Sequence, residues 1–357
     1  MKKKNYYLDV FKNSKVIITG STGFKGSWLS FWLNKLGANV VGIGLKPEKN
    51  FILFNRLNLK KKITQYIFDI SNYSKISNVI KREKPDIIFH LAAQSIVTES
   101  YKYPIKTINS NVIGSLNLLE SMRNNLFNNL IYITSDKCYL NNNLIKNYKE
   151  KDTLGGFDNY SASKACAEIL FHSYYNSFFL DKKSQYAATA RAGNVIGGGD
   201  FKQNRIIPDF FKSINSKKKL IIRSPNATRP WQHVLEPLSG YLKLGSLMLE
   251  NRMNKNLYPS WNFGPHPKNC KTVKEILKMF YNYQKIKINI KIKEKKSIKE
   301  SRLLSLSISK SEKELNWSPR LTLEETVDYT SSWYNSFFSN NDLEKITNYQ
   351  IENFLDH

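Results

Sequence analysis

The sequence predicts an α/β fold in which a doubly wound parallel sheet is joined to a smaller C-terminal α/β part. Three observations predict it. Short β-branched runs alternate with helical patterns through the first half of the chain. Those runs are apolar almost without interruption, as strands covered on both faces require. A glycine-rich turn stands between the first run and the first helix.

The first strand is "KVIITG", Lys15–Gly20, and the helix after it is Phe24–Leu36. "ANVVGIGL" (Ala38–Leu45), "QYIFDI" (Gln65–Ile70), "PDIIFHLAA" (Pro85–Ala93) and "NLIYITSD" (Asn129–Asp136) follow as strands, each bounded by turn residues. A helix is predicted over Thr107–Arg123, and a long one over "YSASKACAEILFHSYYNSFF". "AATARAGNVIG", Ala187–Gly197, is a further strand. Beyond it the pattern loosens into Pro-, Arg- and Trp-containing segments. This order predicts a Rossmann-type domain over residues 1–191 plus about 236–263. Residues 192–235 and 264–345 are left for a second, ligand-binding domain.

Composition narrows the function classes. At 357 residues and 41% hydrophobic content, a large core is feasible and disorder is not expected. No apolar run approaches a membrane span and "MKKKNYYLDVFKNS" lacks the apolar segment of a signal peptide, so no membrane association is expected. Cys138, Cys166 and Cys270 are scattered, which predicts neither a disulfide framework nor a metal site and fits a reducing cytoplasm. The net charge of +26 has two readings. One is a nucleic-acid-binding protein with a vestigial dinucleotide fold, which requires a continuous basic face. The other is a dispersed Lys-rich surface. Clusters such as Lys60–Lys62 and Lys217–Lys219 lack interleaved aromatics, which favours the second and predicts no nucleic-acid partner.

"GSTGFKG" puts Gly20, Gly23 and Gly26 at the first strand-to-helix junction. Glycines there let the backbone turn tightly and approach a pyrophosphate, whose charge the helix N-terminus stabilises. Asp69, with Ile70 at the end of the third strand, is placed either to accept from an adenine amino group or to cap the next helix. Lys46, past the second strand, leaves NAD and NADP both open. "YSASK" puts Tyr160 and Lys164 one helical turn apart on one face. A phenol with a free pKa of about 10 is a poor base at neutral pH, and a neighbouring cation favours its ionised form. "ITSDKCY", Ile133–Tyr139, adds a hydroxyl, an acid and an amine at the end of a strand.

In order, "GSTGFKG", "HLAAQ", "NVIGS", "TSDKCY", "YSASK" and "RAGNVIGGGD" resemble the extended short-chain dehydrogenase/reductase family, and within it the sugar-nucleotide 4,6-dehydratases. "TGFKGSWLSFWL", "SDKCY", "IIPD", "RPWQHVLEPLSGY" and "WNFGP" are most similar to those acting on CDP-glucose. The likeness runs from about Lys15 to about Tyr334.

The resemblance implies an NAD-dependent hydro-lyase that turns CDP-glucose into CDP-4-keto-6-deoxyglucose. It implies cofactor contacts at Gly20, Ser21, Thr22, Gly23, Phe24, Gly26, Asp69, Ile70, Leu91, Ala92, Ala93, Gln94, Tyr160 and Lys164. Tyr160 would take the proton of the sugar 4-hydroxyl, with Ser135 bonded to that hydroxyl. Lys164 would hold the nicotinamide ribose and lower the tyrosine's pKa. Asp136 would protonate the departing C6 hydroxyl. Lys137 stands where many related dehydratases carry a Glu, and is either the C5 base or an electrostatic stabiliser of the enolate. Asn111, Asn194, Arg205 and Arg229 are implied in substrate binding, while His233 and Glu236 are expected to be structural. A homodimer, possibly a tetramer, is implied, paired through the helices around Asn111–Arg123 and Tyr160–Phe179. Ser21 departs from the His that close relatives carry, which bears on cofactor retention. The alternative is a dehydratase, 4-epimerase or oxidoreductase acting on another nucleotide-linked hexose or heptose.

Overall fold

A computed structural model describes residues 6–47, 52–141, 147–266, 269–286, 290–292 and 304–357. Seven parallel strands form the central sheet. In chain order they are β1 (Lys15–Thr19), β2 (Asn39–Gly44), β3 (Thr64–Ile67), β4 (Ile87–His90), β5 (Asn129–Ile133), β6 (Tyr186–Ala192) and β7 (Ser260–Phe263). Their spatial order is β7-β6-β5-β4-β1-β2-β3. The chain leaves β1 toward β2 and later returns to place β4 on its other side. A crevice therefore opens at the carboxyl ends of β1 and β4, where doubly wound sheets receive ligands.

Each strand divides its side chains between two cores. Val16 and Ile18 join one cluster and Ile17 the other; Ile87 and Phe89 oppose Ile88; Ile131 and Ile133 oppose Leu130 and Tyr132. Helices cover both faces, which explains the unbroken apolar runs. On one side lie α1 (Phe24–Lys35) and the later helix Leu235–Leu249. On the other lie α2 (Tyr73–Glu83), α3 (Gly114–Arg123) and α4 (Asn159–Tyr174). Trp28 and Trp32 of α1 are fully buried. At about 150–250 Å² apiece and ~25 cal/mol per Å², they anchor the helix by roughly 4–6 kcal/mol each as an upper estimate.

Several expected boundaries move. The strand expected over Gln65–Ile70 stops at Ile67, and Asp69 lies in the turn beyond, where its Oδ1 accepts from the Ser71 amide at 2.9 Å. The cap of α2 is Asn72, which accepts from the Lys75 amide, so the capping role considered for Asp69 does not hold. The helix expected over Thr107–Arg123 is three pieces: Pro104–Ile108, a wide π turn at Asn109–Ile113, and α3. The strand over Ala187–Gly197 breaks after Ala192, and Val195–Ile196 pairs instead with Gln232–His233.

The remaining chain builds small two-stranded pairs and further helices: α5 (Ile206–Ser216), α6 (Leu235–Leu249), α7 (Val273–Gln284), α8 (Leu323–Phe338) and α9 (Leu343–Asp356). Capping boxes start α7 (Thr272 with Glu275) and α8 (Thr322 with Glu325). Two segments outside the family resemblance belong to the core all the same. Leu8 and Phe11 of the turn Tyr6–Phe11 are buried, and Phe354 of α9 meets Trp32 edge-on at 5.9 Å. Among the described residues no helix is long and apolar enough to cross a membrane, and no cluster of His, Cys, Asp or Glu would hold a metal.

Candidate active site

The glycine loop occupies the turn after β1. Gly20 has a φ of 76°, and a Cβ there would stand 2.8 Å from the Ala92 amide nitrogen. A Cβ on Gly26 would overlap the Gly20 carbonyl. Both positions therefore exclude any larger residue. α1 then starts with Gly23 at its N-cap and no side chain capping it, so its first amides remain available for an anion. This cradle fits a dinucleotide diphosphate. The loop's own side chains turn inward. The Ser21 hydroxyl donates to Gln65 Oε1 at 2.9 Å, and Thr22 donates to the Leu45 carbonyl at 3.2 Å. Lys46 is exposed beyond β2.

The loop after β4, Leu91–Gln94, faces the same crevice and is held by a directional chain of hydrogen bonds. The Ala92 amide donates to Thr19 Oγ1 at 3.2 Å, and Thr19 meets His90 Nδ1 at 2.7 Å. His90 Nε2 meets Ser115 Oγ at 2.8 Å, and Ser115 donates to the Asn111 carbonyl. Since the Ser115 proton is committed there, His90 carries its proton on Nε2 and accepts from Thr19 on Nδ1. Burial holds its pKa down at about 3, so the ring is neutral.

Asn111 lies in the wide turn Asn109–Ile113. It is 1% exposed, its Oδ1 accepts from the Gln94 amide at 2.7 Å, and its Nδ2 donates to the Gln94 carbonyl and to Ser163 Oγ. With every polar atom of its amide engaged, it braces the β4 loop against α4. Gln94 likewise spends its side-chain amide on neighbours, Ile96 in the chain just beyond it and Thr107 of the helix Pro104–Ile108. Ile70 is buried, and its carbonyl accepts from Asn117.

Beyond β5, Ser135 starts a short turn over Asp136–Cys138 and accepts from the Lys137 amide. Its hydroxyl donates to Asp136 Oδ1 at 2.9 Å and also engages the Tyr160 phenol. Asp136 is 2% exposed, and burial raises its pKa against the pulls of Lys137, Ser135, Arg229 and Lys25. A carboxyl in that state suits proton donation. Lys137 is half-buried beside it. Burial drives the Tyr160 phenol up to about 12, opposed by the Ser135 hydroxyl and the Arg205 guanidinium. Lys164, one helical turn on, is lowered to about 8, mainly by burial.

Arg205, at the start of α5, bridges Asp200 at 2.7 Å and Ser95 at 3.1 Å. Arg229 is buried on the strand Thr228–Pro230, where its charge reaches Asp136. Asn194 is half-buried in the turn after β6. His233 and Glu236 lie in the core at 0% and 1% exposure.

One assembly lies behind the site and has no motif of its own. Glu168, one turn past Lys164, takes Arg191 in a bidentate pair at 2.9 and 2.6 Å, both side chains fully buried. Thr134 and Thr189 donate to the same carboxylate. Arg191 continues to the Tyr139 hydroxyl and the Glu150 carbonyl, each at 2.8 Å. These bonds, with that of the Tyr139 hydroxyl to Asn262, clamp the Ser135–Lys137 turn to α4, β6 and β7.

Residues 17–330 match the family described as GDP-mannose 4,6 dehydratase. The chain belongs to that family. It is also 37% identical to a CDP-glucose 4,6-dehydratase of Salmonella typhimurium, over 99% of this chain and 98% of that protein. A dTDP-D-glucose 4,6-dehydratase of Dictyostelium discoideum shares 32% identity over 64% of this chain and 54% of its own. Among solved structures, a dTDP-glucose 4,6-dehydratase from Bacillus anthracis in complex with NAD superimposes with a TM-score of 0.75. That alignment has 21% identity and covers 90% of this chain and 97% of the other. A UDP-glucuronic acid 4-epimerase from Bacillus cereus, in complex with UDP-glucuronic acid and NAD, reaches 0.78 at 21% identity and covers 90% and 99%. These two likenesses speak for the fold, and the resemblance of the motifs to 4,6-dehydratases agrees with the GDP-mannose 4,6-dehydratase family.

Proposed function

We propose that this protein is an NAD-dependent CDP-glucose 4,6-dehydratase yielding CDP-4-keto-6-deoxyglucose. The observation that carries it is the convergence of a buried Asp136, its pKa raised by burial, with Ser135, Lys137, Tyr160 and Lys164 at one sheet edge, in a chain 37% identical end to end to a CDP-glucose 4,6-dehydratase.

The loop Gly20–Gly26 and the α1 N-terminus would hold the diphosphate of NAD, and Lys164 would hold the nicotinamide ribose. Bound NAD supplies the hydride acceptor at sugar C4 and the donor at C6. Ser135 and Tyr160 bind the 4-hydroxyl, and Tyr160 takes its proton as the ketone forms. That ketone acidifies the C5 hydrogen, which Lys137 removes. Asp136 gives its proton to the C6 hydroxyl, which leaves as water. Arg205 and Arg229 hold the substrate diphosphate with planar donor forks that Lys lacks, and Asn194 lines the same space. A 4-epimerase has no use for an acid or base at C5 and C6, so Asp136 and Lys137 favour elimination.

The division of labour follows the sheet. Residues 1–191 and about 236–263 carry the cofactor, and 192–235 with 264–345 carry the sugar nucleotide. A second copy of the chain covers the apolar residues exposed on the segments packed beside α4, among them Tyr101, Tyr103, Ile105, Ile108 and Ile113, together with Ile169 of α4 itself. The setting is cytoplasmic. Incubation with CDP-, dTDP-, UDP- and GDP-hexoses tests the function: a 4-keto product is expected from CDP-glucose foremost, and none from any of them sinks the dehydratase reading.

A further inference from the structure

Lys25 stands between Gly23 and Gly26, on the first turn of α1. The glycine motif passes over it. That turn is fixed in place: the Trp28 indole donates to the Gly198 carbonyl at 2.9 Å, and the Phe24 ring lies against Gly197. Lys25 is half-buried, and the charges acting on it come from three other segments: Arg205 at the start of α5, Lys164 on α4 and Asp136 after β5. Reciprocally, Lys25 is one of the cations pulling on Asp136. Of those neighbours, Arg205 is already tied to Asp200 and Asp136 to Ser135. Among the described residues no carboxylate pairs with the Lys25 ammonium. Burial, then the two cations, lower its pKa to about 8.

A protein keeps a confined, unpaired cation at a cost, and such a group is found where a ligand meets it. A dinucleotide with its diphosphate at the α1 N-terminus and its nicotinamide ribose at Lys164 spans the space between those two points. Lys25 lies along that span. We propose that Lys25 faces the nicotinamide half of the bound dinucleotide and that its charge favours the reduced, neutral ring over the oxidised, cationic one. This rests on the NAD reading above. A cation beside the ring repels only the oxidised form. In the proposed reaction the hydride leaves sugar C4 for the ring while the hydroxyl proton goes to Tyr160, so the ring loses its positive charge in that step and Lys25 promotes it.

The test uses the full-length protein freed of nucleotide. Dissociation constants for NADH and NAD are measured by NADH fluorescence and by competition, in the wild type, Lys25→Met and Lys25→Arg. The preference for NADH should fall on the order of tenfold in Lys25→Met, the size of one unit charge acting from about 10 Å at an effective dielectric of about 20. Lys25→Arg should keep it. Raising the pH through about 8 should erode the preference in the wild type as the ammonium deprotonates. Lys25→Arg should erode less, because only Lys164 then titrates in that range. The wild-type and Arg titrations decide the matter even if Lys25→Met does not fold. An equal loss for both forms marks a diphosphate contact and overturns the proposal, as does an unchanged ratio or identical pH courses. If neither form binds the wild type, the NAD reading falls and takes the assignment with it. Retained binding with an unchanged ratio removes Lys25 alone.

Discussion

The turn after β1 and the turn after β5 meet at one edge of one sheet, yet they are shaped by opposite means. The first is defined by missing atoms: Gly20 and Gly26 leave the backbone room to double back, and the small side chains between them point away from the crevice. The second is defined by side chains in excess. Ser135, Asp136 and Lys137 are held through the flanking Thr134 and Tyr139 to Glu168 and Arg191, which come from distant parts of the chain and are wholly out of water. A site that binds a diphosphate through backbone amides needs space and a helix end. A site that moves protons needs a dry pocket in which burial sets ionisation.

The largest effect should come from filling the space. Gly26→Ala puts a methyl group onto the Gly20 carbonyl. A loss of more than about 4 kcal/mol, or of dinucleotide binding outright, is expected in urea unfolding and nucleotide titration. A stable, nucleotide-binding Gly26→Ala would break the first half of the contrast.

Next come the proton-handling groups. Lys137→Ala should still reduce bound NAD on addition of CDP-glucose but lose C5 proton exchange with solvent, with turnover down by roughly 10²–10⁴-fold. Normal exchange in that variant would remove Lys137 from the base role. Behind the turn, Glu168→Gln leaves Arg191 buried without its counter-ion, and unfolding should be easier by about 3 kcal/mol. A neutral result there would mean the catalytic turn does not depend on its support.

Glu236 offers a milder comparison, a buried carboxyl away from both turns. Its Oε1 accepts from the Arg320 and Leu321 amides, and burial raises its pKa to about 7. The folded state therefore holds a proton that the unfolded chain releases near pH 4.5. Stability should fall as the pH rises from there to about 7, by at most ~3 kcal/mol, and level off above. Glu236→Gln should flatten that slope; an identical pH dependence would show that the carboxyl is not protonated in the fold.

These differences also mark what the residues disclose on their own. The sheet and the glycine turn were legible, because strand runs and glycine spacing are local signals. Tyr160 and Lys164 were legible as an i, i+4 pair. The brace was not: His90, Ser115 and Asn111 come together only once β4 meets α3, and Glu168 meets Arg191 only across α4 and β6. A Glu four residues beyond Lys164, set against a lone Arg inside an otherwise apolar strand, was the available hint. The bonds of Asn111 to Gln94 and Ser163 were not legible either, because motif position does not reveal which neighbours an amide meets. Lys25 passed unnoticed because spacing arguments weigh the glycines around it.

The central claim is that one enzyme lifts a hydride from the sugar's C4 and returns it to C6 of the same molecule. CDP-glucose deuterated at C4, converted by the full-length protein in ordinary water and followed by NMR, tests it most directly. The expected result is a 4-keto product whose C6 methyl group carries the deuterium. Deuterium released in free NADH, or retained at C4 in an inverted hexose, would contradict it.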